Sequence, residues 1–134
     1  MAIKLSIAVK NARLDAIETA IGTAAVLKIR SGAAPTNITD ADSGTVLATL
    51  SLPSDWMAAA SGGTKALSGS WTDASADNSG TPAHFRLYAS DGTTQHMQGT
   101  VTLTAGGGDM TVDSTSWTAG QAFTVTSFTL TDGN

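Results

Sequence analysis

The apolar residues change period at Gly22, and that change restricts the fold more than any other feature of the chain. Before it, Ile7, Leu14, Ile17 and Ile21 recur at helical spacing; after it, Ala25, Leu27 and Ile29 alternate with Val26, Lys28 and Arg30. A helical stripe and a two-residue alternation cannot exchange places, so the chain divides into a helical opening and a β body. Ser6 is placed to cap the helix and Gly22 to stop it. A strand reading competes at the start, because Ile3, Leu5, Ile7 and Val9 alternate with Lys4, Ser6, Ala8 and Lys10. The capping residues favour a short extended arm over residues 2–5 and a helix from about Ile7 to Ile21. Its narrow apolar stripe predicts a helix lying on the surface of the body or in a subunit contact.

Period-two segments predict strands at Ala25–Arg30 and Thr45–Leu52, then near Lys65–Trp71, Ala83–Ala89, Thr94–Leu103, Met110–Val112 and Gln121–Thr131. Gly-, Ser-, Asp- and Asn-rich loops separate them. The fold class is therefore mostly β: an antiparallel β-sandwich or jelly-roll-like body over residues 23–134, preceded by an arm and one α-helix over residues 1–22, in a single domain. Parity sets one register. Phe85, Leu87, Met97, Val101 and Leu103 are all odd-numbered, and a three-residue loop Ser90-Asp91-Gly92 would bury them together, with Gly92 at the left-handed position. That register puts Arg86 opposite His96 and places His84, Arg86, Tyr88, His96 and Gln98 on an outward face. In the last strand Phe123 and Val125 are odd while Phe128 and Leu130 are even, which predicts a bulge or bend near Thr126-Ser127.

Charge separates the chain in the same place. Residues 1–30 carry five basic and two acidic side chains, a net +3, and the rest carry two basic and nine acidic, a net −7, which together make the chain's −4. Charged residues are only 13%, about half the usual share of a soluble domain. A neutral, hydroxylated surface of this kind suits packing against copies or partners, since little charge is desolvated when patches meet. The acidic body argues against nucleic-acid binding. With no Cys there are no disulfides, thiolate metal sites or thiol nucleophiles. No segment reads as a secretory signal or a membrane span, which points to synthesis and assembly in a cytoplasm.

Catalytic machinery is hard to assemble from what remains. Glu18, the only Glu, reads as surface charge on the helix. His84 and His96 would be diagonal neighbours with no third metal ligand. Asp40-Ala41-Asp42-Ser43-Gly44 lacks the spacing of a calcium loop, and Gly106-Gly107-Gly108 reads as a turn, with no phosphate-binding sequence after it. Trp56, Trp71 and Trp117 fit buried plugs of the body better than platforms for sugar rings. The expectation is a protein that is not an enzyme and takes no cofactor and no metal.

Several motifs carry a resemblance: Leu5-Ser6, Ala8-Val9-Lys10-Asn11-Ala12, Leu14-Asp15-Ala16-Ile17 and Ile21-Gly22, then Leu27-Lys28-Ile29, Ser31-Gly32, Pro35, Thr45-Val46-Leu47-Ala48, Phe85-Arg86-Leu87-Tyr88 and Asp91-Gly92. With them the chain resembles small structural proteins of tailed bacteriophages and prophages. The resemblance supports the helix over residues 7–21 and implies a virion component made in the host bacterial cytoplasm. Head decoration, as a cement protein on the capsid lattice, is the first expectation; a neck, tail or baseplate accessory protein and a carbohydrate-binding domain for host attachment are the alternatives. The expected partners are copies of itself, a trimer included, and other virion proteins, foremost the major capsid protein, without nucleic acid or membrane. The candidate interface residues are Ile3, Lys4, Leu5, Ile7, Lys10 and Arg13 from the arm and helix, and His84, Arg86, Tyr88 and His96 from the outward sheet face.

Overall fold

A computed structural model describes residues 3–132. Helix α1 (Ile7–Ile21) is followed by strands β1 (Val26–Ser31), β2 (Val46–Ser51), β3 (Thr64–Ala66), β4 (Thr72–Asp73), β5 (Pro82–Tyr88), β6 (Gln95–Leu103), β7 (Met110–Val112) and β8 (Phe123–Thr131). The protein is mostly β, a sandwich-like body with one N-terminal helix. The strands form one sheet in the order β2-β1-β5-β6-β7-β8-β3, with β4 also on β8. The sheet rolls until β4 comes back against β2, so a single core fills its interior. Trp56, Trp71, Phe85 and Phe128 form a chain of ring contacts there, with centroids 5.5 to 6.1 Å apart.

The helix has the expected ends. Ser6 Oγ accepts from the Val9 N–H, and the Gly22 N–H closes on the Glu18 carbonyl with Gly22 at φ +90°, where a side chain would be strained. Leu14 and Ile21 are buried and Ile17 packs on the core, but Ile7 remains 51% exposed.

The hairpin between β5 and β6 keeps the expected parity and changes the register. Leu87 pairs with Met97 and Phe85 with Gly99. The Ala89 N–H donates to the Thr94 carbonyl and the Gly92 N–H to that of Ala89, so the loop is one residue longer than expected. His96 then bulges out between Gln95 and Met97. The physical reason is Asp91, whose carboxylate accepts from the N–H groups of Thr93 and Thr94 and from the Thr94 hydroxyl, stabilising the longer loop. Arg86 consequently faces Gln98 and not His96.

The break of parity in β8 is a bulge at the expected place: Ser127 pairs with Thr111 and Val125 with Val112, leaving Thr126 over. Phe123, Val125 and Phe128 are thereby all buried. One expectation is corrected, because the body is not wholly antiparallel: β6 and β7 run parallel. Residues 104–109 double back along β6 with no crossover helix, which is sterically possible because Gly106 and Gly108 lie against Thr102, where an added Cβ would fall 2.7 and 2.8 Å from its side chain.

Candidate functional site

Two polar assemblies and one exposed apolar segment stand out from the core; the first assembly holds three of the ten candidate residues, and the arm and helix hold six. The first assembly lies on the outer face of β1 and β5. Their register sets Val26 beside Tyr88, Lys28 beside Arg86 and Arg30 beside His84, so alternation turns Arg30, His84, Arg86 and Tyr88 away from the core. That face was expected to be open; it is covered, and His84, Arg86 and Tyr88 are each at most 1% exposed. The cover is the segment from Gly32 to Gly44.

Arg86 holds that segment through nearly every donor it has. Its Nη1 donates to the Asp42 carboxylate and the Asp40 carbonyl, both at 2.8 Å, its Nη2 to the Asn37 carbonyl and its Nε to Gln98 Oε1. Gln98 in turn donates to the Pro35 carbonyl. Asp42 also accepts from Arg30 Nη2 and from the Tyr88 hydroxyl at 2.8 Å each. Desolvation works against the Asp42 carboxylate, but the hydrogen bonds from Tyr88 and Arg86 and the charges of Arg30 and Arg86 outweigh it and hold its carboxyl below the usual range. His84 lies 2.6 Å through Nδ1 from the Gly32 carbonyl. Burial pushes its imidazole below the ordinary value against that hydrogen bond, and the two arginines add to the effect. These groups bond one another and pin a loop, leaving Arg30 Nε and His84 Nε2 buried without a hydrogen-bond partner, so the interface role expected of His84, Arg86 and Tyr88 is corrected to a role inside the fold. His96 is exposed on the β6 bulge, apart from them.

The second assembly joins α1 to the body. Asn11, Asp15 and Glu18 recur along one side of the helix, and their side chains accept from the N–H groups of Gly63, Ala60 and Met57 at 2.9 to 3.1 Å. Lys65 is buried between Asp15 and Glu18 and also donates to the Ala58 carbonyl. Burial opposes its charge, yet the two carboxylates raise its pKa above the ordinary lysine value. Glu18 is therefore a clamp and not the free surface charge expected. These contacts line an open groove of about 540 Å³ with Asp55 at its rim. Lys65 ties the Asp15 and Glu18 carboxylates, so both are engaged in holding the helix.

The remaining six candidates cluster. Ile3 is 79% exposed and Val9 45%, Ile7 is half-exposed at the edge of the contact with Gly63, Leu5 is half-buried and Lys4 is exposed. Lys10 packs beside Gly63, and Arg13 pairs with Asp132 at 3.2 Å.

Trp56, Trp71 and Trp117 are all buried, the last stacked on Phe123 at 4.0 Å, so none offers a ring face to a sugar and the carbohydrate-binding alternative loses its platforms. Among the described residues no three His, Asp or Glu side chains converge as metal ligands would. No helix among them is long and apolar enough to cross a membrane. No family model, no curated protein and no solved structure matches the chain.

Proposed function

We propose that this chain is a structural protein of a tailed-phage particle, a head decoration or cement protein that binds the capsid lattice through its N-terminal arm and helix. One observation carries the reading: Ile3 on the arm and Val9 on the outer side of α1 are left exposed, and Ile7 is half-exposed at the edge of the contact, while the inner side of the helix is clamped to the body. A large side chain such as Ile is worth about 1.5 to 3 kcal/mol when removed from water, so covering Ile3 and Ile7 outweighs the 0 to about 1 kcal/mol of a surface ion pair. Lys4 and Lys10 orient the approach to an acidic neighbour, and many weak, dry contacts repeated over a lattice add by avidity. The low-charge surface and the resemblance to phage structural proteins support the same role.

The test is to locate the chain in purified particles and then to delete residues 1–5. The full chain is expected on the particle at high copy number, with occupancy that persists in high salt because screening does not weaken apolar burial. The deletion is expected to fold, with an unchanged circular-dichroism spectrum, and to be lost from the particle. Undiminished occupancy of the deletion would move attachment to the β body, and absence of the full chain from particles would overturn the reading.

A further inference from the structure

The sheet has a gap. β7 is three residues long and separates β6 from β8 only along Val101–Leu103. Beyond its first residue, Gln95–Thr100 and Thr129–Thr131 continue with no strand between them among the described residues. They border a groove of about 440 Å³ lined by Phe85, Met97, Phe128 and Leu130.

Both walls of this groove are strand edges with main-chain groups turned into it. On β6, the Thr100 N–H points away from β5 and donates to Asp109 Oδ2 at 2.9 Å, so alternation turns the N–H and C=O of Gln98 the same way. On β8, the Phe128 carbonyl and the Asp132 N–H bond on the β3 side, to Leu67 and Gly63. Thr129 and Thr131 therefore turn theirs toward β6; the Thr129 N–H faces Asp109 beside the Met110–Phe128 pair, and the Thr129 carbonyl and both main-chain groups of Thr131 face the groove. Two strands flanking a missing one lie about 9.5 Å apart, the width that one strand fills.

We propose that this groove receives an extended strand, and that the strand is the arm Ile3–Ser6 of a second copy of the chain. The arm leaves the helix in extended conformation, with Ser6 at φ −67° and ψ 158°. Ile3 and Leu5 alternate with Lys4 and Ser6, so one face would meet the apolar floor and the other would face water, and the arm's main chain would complete both open ladders. Charge agrees: Lys4 belongs to the basic opening of the chain and Asp109 lies at the groove, within the acidic body. In its own chain the arm is rooted on the far side of β8, where Asn11 holds Gly63 and Thr64 pairs with Thr131. Exchange between copies thus covers two liabilities at once, an exposed Ile3 and an uncapped strand edge. The inference deepens the assembly role proposed above and rests on it for its biological setting.

The absence of Cys makes the test direct. Ile3→Cys protein is mixed with Met97→Cys protein carrying a longer tag, oxidised, and separated by size without reductant. The expected product is a reducible dimer of mixed size, and Thr131→Pro in the tagged chain should reduce it at least several-fold, since that substitution removes a groove-facing N–H and leaves the hydrogen bonds of the β3 ladder intact. Equal-size dimers alone would overturn the proposal. So would a doubly substituted chain that closes its disulfide within the monomer. A mixed dimer from a chain absent from particles would leave strand exchange standing and remove the particle role; a chain found on particles without the mixed dimer would do the reverse.

Discussion

Replacing Asp42 by Asn should cost about 2 to 3 kcal/mol of folding stability. The carboxylate accepts from Arg86, Arg30 and Tyr88, and the Arg86 side chain it neutralises is fully buried. Removing one partner of a buried ion pair costs about 3 to 5 kcal/mol because a charge is left uncompensated. Asp42 itself has 32% of its side chain exposed, so water screens part of the interaction and the lower figure applies. Asn keeps one acceptor oxygen but turns an amide donor toward guanidinium donors, which prevents recovery of the second contact. Urea unfolding is the assay, with Asp40→Asn as the control: the Asp40 carboxylate serves only Asn37, while Arg86 uses its main-chain carbonyl, so that variant should lose no more than about 1 kcal/mol. The sign of the pH dependence adds a second check. With its folded pKa depressed, Asp42 stabilises fully above the unfolded value of about 3.9 and loses that contribution as pH falls through the folded value. The gap between wild type and Asp42→Asn should therefore narrow in acid. A cost for Asp42→Asn no greater than for Asp40→Asn would refute the reasoning.

Lys65→Met should destabilise by about 1 to 3 kcal/mol and speed hydrogen exchange at the Met57 and Ala60 amides, which donate to the carboxylates that Lys65 holds; unchanged exchange would show that the clamp does not depend on it. Gly108→Ala should cost about 1 to 3 kcal/mol by overpacking against Thr102, and Thr102→Ser in the same chain, by removing the crowding methyl, should return part of it in urea unfolding. The His84 imidazole, depressed by burial and by the two arginines against the Gly32 hydrogen bond, should titrate in NMR spectra below the ordinary histidine value. Since the unfolded chain takes up that proton near 6.5, this group's contribution to stability should fall as pH drops from about 6.5 to the folded value.

The local chemistry of the chain was readable, and the long-range polar chemistry was not. Ser6 and Gly22 announce the helix because capping depends on neighbours a turn away, and Phe123, Val125, Phe128 and Leu130 announce the bulge because parity is a property of one strand. The hairpin register slipped because parity does not distinguish one loop from another of compatible length, and the Asp91 side chain decided between them. The Arg86 and Asp42 contact joins residues 44 positions apart, and polar residues alternating with core residues read by default as solvent-facing. A signal was present: the segment from Gly32 to Gly44 is far longer than a hairpin between β1 and β2 requires, and loops of that length usually cover something. For the candidate interface, the arm residues were found from alternation and charge, whereas the gap beside β7 depends on a parallel pairing that period two cannot reveal.

In its first two turns α1 is an inside-out amphiphile. Asn11 points its amide oxygen at a main-chain donor of the body, with Ile7 one turn before it at the edge of that contact, while Val9 on the opposite side looks outward. Folding and association are thereby assigned to different side chains on one element, and they draw on different physics, directional hydrogen bonds on one side and non-directional apolar contact on the other. Substitutions at the outer positions can retune which surface the helix prefers without loosening its seat. A scaffold organised in this way can change partners by small steps while its own stability stays nearly constant.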